Sequence, residues 1–433
     1  MTAKYTGLLK GSSIEEESAE QNIKSDDLIP IRATYIWPDG QRPTSKLRNK
    51  EKPLYVKKSC WKKWREATHG KIQSRLNNPF SPQSQRLYRY GDTPEWVPSW
   101  AFDGSSTFQA ETAQSDCGLE PVYVIPDPIL GDPHILVLCE VLHSDGNPHV
   151  SNTRAILREA VQKYKHEDPF IGFEQEYTLY DKDGQWPYRW PQGGGYPEPQ
   201  GKFYGSVGSD EAFGKELIDT HTDALIAAGL RYDGTNAEVM PSQWEFQIGP
   251  LPALTAADEL LLSRFILYHL GGQMGIAVKL SPKPIAGDWN GAGCHANFST
   301  AEMRNEGGIA SIYKATEKLG DYRAHREHIW VYGEHNILRL TGAHETCRID
   351  QFRVGVGHRG CSVRINSEVE RREKGYFEDR RPAANIDPYM VATALLETVC
   401  GDGFDHHTFG YFFDDDHQPS WRHNVIMRGL FGK

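Results

Sequence analysis

The chain has 433 residues, of which 38% are hydrophobic and 24% charged, and its formal net charge is -10. This length exceeds one typical domain and predicts two or three domains with a large buried core. The acidic balance disfavours general attraction to nucleic acid or to an anionic membrane, and seven cysteines without a C-x-x-C pair favour reduced thiols over a disulfide framework.

The sequence has no apolar run long enough to span a bilayer, and its first residues lack the basic-then-apolar plan of a signal peptide. These two features predict a cytoplasmic protein that does not use a membrane.

Residues 1–28 are polar and acidic, which predicts a flexible tail. From Ile29 the run IPIRATYIWPDG combines β-branched and aromatic residues with a Pro-Asp-Gly turn signal. We therefore expect a strand there and a small β-rich domain over 29–149.

A basic insert at about 48–95 interrupts this domain. Between Lys46 and Arg89 there are thirteen Lys or Arg residues against two Glu, with Trp and Tyr residues among them. Such a mixture can bind single-stranded nucleic acid, but a solvated insertion or a subunit contact explains the same composition. Composition is the single support for nucleic-acid binding, so we favour the other two explanations.

Strand-like runs return at PVYVIP and HILVLCEVL, and a helix is predicted to follow, capped by Ser151 or Asn152. The region 150–433 then mixes aromatic strands with apolar helices such as TAADELLLSRFILYHLGGQMG and DPYMVATALLETVC. This pattern predicts an α+β catalytic domain.

Four glutamates form pairs on predicted strands. In FIGFEQEYTLY, Glu174 and Glu176 are two residues apart and project from one face. In NAEVMPSQWEFQIGP, a turn at Pro241-Ser242 predicts that Glu238 lies directly opposite Glu245. Each pair alone is equally well explained as a solvent-facing polar edge, but two pairs in neighbouring strands favour a cation between them.

The glycine-rich run DWNGAGCHANFST adds His295 at a strand start. Mainly oxygen ligands with one imidazole suit Mg or Mn better than Zn, and more than three acidic ligands predict at least two ions.

Several arginines follow, and their planar guanidinium groups can hold a carboxylate or a phosphate, although surface ion pairs are the commoner role of any one arginine. They are Arg339, Arg359, Arg364, Arg380 and Arg381, with Glu378 among them. Upstream, Asp103 and Asp116 lie in a small-residue loop that residue chemistry alone identifies only as a turn.

Taken in order, these segments resemble the type II glutamine synthetases. The resemblance covers nearly everything from Ile29 onward except the basic insert. The segments that carry it are FDGSST, GFEQEY, EVMPSQWEFQIGP, KPIAGDWNGAGCHANFST, RLTGAHET, RGCSVRI and KGYFEDRRP.

The resemblance implies two metal sites, a glutamate site and a nucleotide site. The metal ligands would be Glu176, Glu238 and Glu245 for one ion, and Glu174, His295 and Glu378 for the other. The glutamate ligands would be Asp288, Trp289, Asn290, Gly291, Arg339 and Arg380. The nucleotide site would be lined by Glu245, Phe246, Gln247, Ile248, Gly249, Pro250, Asn297, Phe298, Ser299, Arg359, Arg364, Tyr376, Phe377 and Glu378.

The implied reaction forms γ-glutamyl phosphate from glutamate and ATP, and ammonia then displaces phosphate. Asp103 would act as the base, Asp116 and Ser106 would help bind ammonium, and Glu345 would close over the site. Arg359 and Arg380 would stabilise the transferring charge.

The resemblance also implies a small N-terminal β-grasp domain, a larger α+β catalytic domain with an antiparallel sheet that lines a metal-containing funnel, and a homo-oligomer with active sites shared between subunits. A decamer of two five-membered rings is the expected assembly.

Two departures stand out. This chain reads GHRGCS at 357–362 where type II enzymes usually read ANRGAS, and Asp288 stands where Asn is common. Two rival functions are a γ-glutamyl-amine ligase and a catalytically inactive structural or regulatory homologue. The intact ammonium loop argues against the first rival, and the complete set of metal ligands argues against the second.

Overall fold

Strand β1, Leu28–Pro38, begins where the run of β-branched and aromatic residues predicted a strand. Ile31, Ala33 and Tyr35 alternate along it and are fully buried. The computed structural model describes residues 27–77, 93–191 and 200–403. Most of the predicted acidic tail and residues 78–92 of the basic insert lie outside the described residues.

The chain divides into two units, of which the first contains Met1–Gln41 and Ser45–Ala155. Its sheet has the order β2-β1-β5-β4-β3, in which β1 and β5 are parallel and the other neighbours antiparallel. Helix α1 follows β2, which gives the predicted β-grasp arrangement. Besides β1, the elements are β2 Leu47–Lys57, α1 Lys58–Asn77, β3 Trp100–Asp103, β4 Asp116–Pro126 and β5 Ile135–Leu142.

The described part of the basic insert belongs to the fold of this unit. Its first residues form β2, which pairs with β1 along the whole length of both strands. On α1, Trp61 and Trp64 stack with Trp96, with ring centroids 5.0 to 6.1 Å apart, and all three pack against the apolar core. These three tryptophans are therefore occupied by packing, whereas Tyr55 on β2 is 70% exposed.

Helix α2, Thr153–Lys163, begins at the predicted position. Of the two predicted caps, Asn152 is the one that caps the helix, because its Oδ1 accepts a hydrogen bond from the Ala155 N–H at 3.1 Å.

The second unit contains Arg42–Thr44 and Ile156–Lys433. Its sheet has the order β11-β12-β13-β10-β6-β8-β7, with β9 paired to β6, and only β11 and β12 among its neighbouring pairs run parallel. The strands are β6 Phe170–Tyr180, β7 Tyr232–Ala237, β8 Gln243–Pro252, β9 Ala277–Lys279, β10 Cys294–Ser299, β11 Val354–Val356, β12 Val363–Ile365 and β13 Phe377–Asp379.

Helices cover this sheet and supply the rest of the core. They are α3 Lys215–Ala228, α4 Ala253–Gln273, α5 Ala301–Arg304, α6 Ile309–Gly320, α7 Tyr322–Val331, α8 Ser367–Arg372 and α9 Pro388–Cys400. Among the described residues, no helix combines the length and the apolar character needed to cross a membrane.

The two apolar helices expected in this unit are confirmed as α4 and α9. Helix α4 contacts β6, β8 and α9, and all of its first fifteen residues are buried. Helix α9 begins where its sequence predicts, since the Asp387 carboxylate accepts hydrogen bonds from the Tyr389 and Met390 N–H groups and Pro388 occupies the first turn.

His221 is a buried polar residue on α3. It is 1% exposed, its Nε2 lies 3.0 Å from the Ser263 carbonyl on α4, and its ring meets Phe246 edge-on at 5.1 Å. Burial lowers its pKa from 6.5 to about 4, against the opposing effect of the Ser263 hydrogen bond. The imidazole is therefore neutral in the folded protein at neutral pH.

This lowered pKa predicts a stability loss in mild acid. Between pH 6.5 and about 4 the unfolded chain binds a proton that folded His221 does not, so stability falls as the pH falls. A leucine at 221 removes this proton uptake. When the pH falls from 7 to 5, we expect the unfolding free energy of the wild type to decrease by about 2 kcal/mol more than that of His221→Leu.

Urea unfolding followed by circular dichroism at the two pH values measures this shift. His166→Leu is the control, because the His166 side chain is 70% exposed and meets water in both states. A difference between wild type and His221→Leu that stays constant from pH 7 to pH 5 would contradict the prediction.

Candidate functional site: a carboxylate and arginine cavity in the second unit

Strand β6 supplies two predicted ligands from one face and a positioning residue from the other. Glu174 and Glu176 share a face, as the strand period predicts, and Gln175 between them is fully buried on the opposite side. There Arg264 on α4 donates to the Gln175 Oε1 at 2.7 Å, and the Gln175 amide donates to the Ala384 carbonyl at 3.0 Å. The helix behind the sheet thus fixes the part of β6 that carries both carboxylates.

The register of the neighbouring strands brings the other predicted ligands to the same side, which we call the carboxylate face. The register pairs Glu176 with Glu245 on β8, Glu174 with His295 on β10, and Asn297 on β10 with Glu378 on β13. Residues far apart in sequence therefore meet because consecutive antiparallel strands place them side by side.

The predicted register of Glu238 is wrong. Asn236, and not Glu238, lies opposite Glu245. The Glu238 N–H donates to the Gln243 carbonyl at 2.9 Å, so the chain reverses over residues 239–242, two residues more than predicted. A shift of two residues preserves the strand alternation, and Glu238 therefore still reaches the carboxylate face, just beyond the end of β7.

The convergence of these carboxylates perturbs their ionisation. Burial raises the pKa of Glu238 to about 8, with further repulsion from Glu176. The pKa of Glu245 is raised well above 4.5, first by burial and then by Glu174. Burial also raises the pKa of Glu176, although Arg339 opposes the shift. Ionising these groups together is costly unless positive charge lies among them.

His295 stands in the form that can bind a metal. Burial first, and then the positive charge of Arg380, lower its pKa well below 6.5, so the imidazole is neutral. Its Nδ1 lies 3.3 Å from a Glu174 oxygen and 3.5 Å from a Glu378 oxygen. On the other side of the ring, an Arg339 N–H reaches Nε2 at 3.0 Å.

Within the described part of the chain, two sets of three side chains could each hold a metal ion. One set is Glu176, Glu238 and Glu245, and the other is Glu174, Glu245 and His295, and the ligand atoms in each set lie within 4.8 Å of one another. Carboxylate oxygens with one neutral imidazole are donors suited to a hard divalent cation, and such an ion would offset the repulsion that raises the glutamate pKa values. The residues therefore fit a metal site.

Arginines surround the remaining carboxylate and the loop that carries Glu345. Arg364 donates to one Glu378 oxygen at 2.9 Å, and Arg380 donates to the other. Arg359 pairs with the Glu345 carboxylate at 3.1 Å, and Arg380 also donates to the Glu345 carbonyl at 3.3 Å. The arginines thus link the strands of the carboxylate face to this loop.

A cavity of about 190 Å³ joins these groups. Its lining is Glu174, Glu176, Tyr204, Asn236, Glu238, Glu245, Gln247, Asn290, Gly291, His295, Arg339, His344, Glu345, Thr346, Arg359, Arg364, Glu378 and Arg380. Most of the predicted metal and arginine residues are therefore neighbours in space.

Other predicted site residues have their side chains elsewhere. Asp288 has a side chain that is 98% exposed and pairs with His344 at 2.8 Å, while Trp289 packs against Trp190 and Met240. Because side chains alternate along a strand, some residues of the predicted nucleotide segments point into the core. They are Phe246, Ile248, Phe298 and Phe377. Of the remaining predicted nucleotide residues, Gly249 and Pro250 are joined by a cis peptide bond. Ser299 is buried, and Tyr376 is 38% exposed. The Asn297 amide donates a hydrogen bond to Glu174 at 2.7 Å.

Several residues that line the cavity were not predicted from the sequence. Asn236 could have been found, because it precedes Glu238 by two residues and shares its side of the strand. Tyr204 lies in an irregular segment, where its ring stacks with Arg359 at 5.8 Å, and no sequence pattern marks it. His344 directly precedes Glu345 and adopts the same left-handed backbone conformation.

The predicted ammonium residues belong to the first unit. Asp103 lies at the end of β3 opposite Asp116 on β4, so two carboxylates stand side by side. The Asp103 carboxylate accepts hydrogen bonds from the Ser105 hydroxyl at 2.6 Å, the Ser105 N–H at 2.9 Å and the Ser106 hydroxyl at 3.2 Å. These bonds, those from Ser105 above all, lower the Asp103 pKa below 3.8, so the carboxylate is ionised at neutral pH.

A buried ion pair supports β13 from behind. Asp379 and Arg381 alternate with the site residues Glu378 and Arg380 and are almost fully buried. Arg381 donates to both Asp379 oxygens, at 2.9 and 2.7 Å, and the hydroxyl of Tyr332, the residue directly after α7, donates to the same carboxylate at 2.8 Å. The pair therefore anchors the strand that carries Glu378 to the helix behind it.

Comparisons with known proteins agree with this site. Residues 150–319 match the family model described as glutamine synthetase, catalytic domain. The chain is 54% identical over 401 residues to the chloroplastic glutamine synthetase of Chlamydomonas reinhardtii, which covers 92% of this chain and 97% of the relative. It is 46% identical over 372 residues to the glutamine synthetase of Streptomyces hygroscopicus, covering 86% of this chain and 97% of the relative.

A solved structure of a glutamine synthetase shares the fold of this chain. A cryo-EM structure of Plasmodium falciparum glutamine synthetase matches with a TM-score of 0.62 at 16% identity, over 92% of this chain and 74% of that one. The sequence relatives and the site thus define a ligase with an acidic, arginine-rich cavity. The chain belongs to the glutamine synthetase family.

The buried pair behind β13 gives a stability prediction. Arg381→Met leaves the Asp379 carboxylate buried without its guanidinium partner, and we expect it to destabilise the protein by about 3–5 kcal/mol. Urea unfolding measures this loss. The matched control is Arg371→Met, because Arg371 lies exposed on α8 and pairs there with Glu368, and its loss is expected to stay below about 1 kcal/mol. Equal losses for the two variants would contradict the proposed support of β13.

Proposed function

We propose that this chain ligates ammonia to the side-chain carboxylate of L-glutamate, using ATP and releasing ADP and phosphate through γ-glutamyl phosphate. The observation that carries the proposal is the convergence of six glutamates, two histidines and four arginines on one cavity in a member of the glutamine synthetase family. An anionic nucleotide and an anionic acid can meet only where positive charge offsets their repulsion.

The proposed cations are two Mg or Mn ions. Glu176, Glu238 and Glu245 would hold one, in agreement with one of the two ligand sets in the cavity. Glu174 and His295 would hold the other with Glu378, whose carboxylate lies 3.5 Å from the His295 Nδ1. When bound, the cations neutralise charge on the phosphate oxygens of ATP.

The arginines would divide between the two anionic substrates. Arg339 and Arg380 would bind glutamate, together with the segment Asp288 to Gly291, while Arg359 and Arg364 would bind the nucleotide phosphates. Arg339 is 6% exposed and therefore presents its charge away from bulk water. In such surroundings a guanidinium group stabilises an anion more strongly than it does at a surface.

The nucleotide itself would lie along the segments Glu245 to Pro250, Asn297 to Ser299 and Tyr376 to Glu378. In the first step the glutamate side-chain carboxylate attacks the γ-phosphorus of ATP, and ADP leaves. Arg359 and Arg380 would stabilise the charge that spreads over the transferring group.

The second step needs ammonia, although ammonium is the main species at neutral pH. The ionised Asp103 carboxylate, with Asp116 and Ser106 near it, would attract ammonium and accept its proton. Ammonia would then attack the acyl carbon and release phosphate. Glu345, in the loop tied to Arg359 and Arg380, would add negative charge for ammonium and exclude water that would hydrolyse the acyl phosphate.

The proposed assembly is a cytoplasmic homo-oligomer in which the Asp103 loop of one subunit serves the cavity of its neighbour. A decamer of two five-membered rings is the arrangement that the family resemblance favours. The division of the predicted site residues between two units of the chain is compatible with such sharing.

Phosphate release tests the proposed reaction. The purified protein with ATP, Mg and glutamate should release phosphate when ammonia is added, and much less with methylamine or polyamines. Release with amines alone would assign the chain to amine ligation, and no release with any nucleophile would reject the ligase activity.

Two substitutions test the charge within the cavity. Glu378→Ala and Arg359→Ala should each lower turnover by about 10²–10³-fold, because both residues act on charge where the phosphoryl group moves. Assembly, followed by light scattering, should not change. The exposed ion pair on α8 supplies matched controls in Glu368→Ala and Arg371→Ala. A fully active Glu378→Ala protein would reject the metal assignment.

The ammonium assignment has its own test. Asp103→Asn removes the proposed proton acceptor and should lower ammonia-dependent turnover by about 10²-fold or more, with little effect on ATP binding. Glu111→Gln is the control, since Glu111 is exposed in the same loop region and its side chain caps nothing. Equal turnover of the two variants would remove Asp103 from the mechanism.

A further inference from the structure

Three carboxylates of the cavity share an unusual partner, a neutral side-chain amide. The Asn236 amide donates to Glu238 at 2.8 Å, the Gln247 amide to Glu245 at 2.7 Å, and the Asn297 amide to Glu174 at 2.7 Å. An ionised carboxylate only accepts hydrogen bonds, so in each pair the amide must present its N–H group. Each of these hydrogen bonds uses one of the two oxygens of its carboxylate.

Two further carboxylates of the cavity, those of Glu176 and Glu378, are held differently. A Glu176 oxygen accepts the backbone N–H of Gly293 at 2.7 Å. Glu378 is bound by two charged groups, Arg364 and Arg380. A guanidinium group brings positive charge to the carboxylate it binds, whereas an amide fixes the carboxylate without adding charge.

The strand geometry explains how each amide reaches its partner. Asn236 and Glu238 are two residues apart at the end of β7, and Glu245 and Gln247 are two residues apart on β8, so each pair shares a side of its strand. Asn297 approaches from β10, where it lies opposite Gly172. Because Gly172 has no side chain, the Asn297 amide is free to extend to Glu174, two residues further along β6.

We propose that Asn236, Gln247 and Asn297 are positioning residues that orient three glutamates for a divalent cation of the Mg or Mn class. This inference rests on the proposed function, which places cations among these glutamates. A carboxylate on a flexible glutamate loses rotamer freedom when it binds a metal, and a fixed hydrogen bond supplies part of that ordering in advance. Partners of this kind commonly contribute 10–100-fold to metal affinity.

Asn236 offers the cleanest test. Gln247 and Asn297 lie in segments proposed to line the nucleotide site, so their loss could also disturb ATP. Asn236 lies outside those segments, and its side-chain amide is bonded to Glu238 and, at 3.5 Å, to the Ala237 carbonyl. A change in cation binding on its substitution therefore reports on Glu238.

The experiment is Mn²⁺ binding to the purified full-length protein without nucleotide, measured by calorimetry and by the electron paramagnetic resonance of free Mn²⁺. Asn236→Leu keeps the size of the side chain and removes the N–H, and it should weaken Mn²⁺ binding by about 10–100-fold. The thermal midpoint reports whether the variant is folded. Asn305→Leu, at an exposed position after α5, is the control and should bind Mn²⁺ as the wild type does.

Asn236→Asp separates orientation from simple charge. It adds a negative charge but replaces the donor with an acceptor that repels Glu238, so the proposal expects weaker Mn²⁺ binding than in the wild type. Tighter binding by Asn236→Asp, or unchanged binding by Asn236→Leu, would overturn the proposal. If Asn236→Leu fails to fold, Gln247→Met gives the same comparison at Glu245. A wild-type protein that binds no Mn²⁺ would instead reject the cation site of the proposed function.

Discussion

The repulsion among carboxylates on one face of a sheet governs the arrangement of the second unit. Burial raises the pKa values of Glu176, Glu238 and Glu245, and repulsion from neighbouring glutamates, Glu174 among them, raises them further. A fold tolerates such a cluster only when surrounding groups hold each carboxylate in place and positive charge can enter. The amides, the Gly293 N–H and the arginines around the cavity are those surrounding groups.

The opposite face of the same strands supplies the rigidity. Gln175 is fixed by Arg264, and Asp379 is bound by Arg381 and Tyr332, so residues that alternate with the site residues anchor their strands to α4 and α7. Each strand therefore carries chemistry on one side and support on the other. Because the strand period is two, a slip of one residue would exchange these two sides.

The loop that carries Glu345 is tied to the cavity by polar contacts at its rim. Glu345 pairs with Arg359, and the neighbouring His344 pairs with Asp288. The Glu345 and Arg359 side chains are each about half exposed, and exposed ion pairs are weak. Such contacts cost less free energy to break than the buried pairs behind the sheet.

Much of the site followed from the sequence, because strand alternation and motif order are local properties. Glu174 and Glu176 were expected on one face of a strand, and β6 confirms it. Residue type and spacing likewise predicted the N-terminal strand, the apolar helices α4 and α9, and the cap of α2.

The tertiary structure decided what depends on contacts between distant segments. The predicted register of Glu238 was wrong because the turn between β7 and β8 is longer than predicted. The length of a turn depends on its backbone conformation, which the residues at 241–242 did not reveal. The amide of Asn297 meets Glu174 across 123 positions of sequence, and Arg381 meets His325 across 56. The sequence by itself determined which side chains share a face of each strand. Only the folded chain determined which strands became neighbours, because pairing between strands is set by the packing of the whole sheet and not by any one segment.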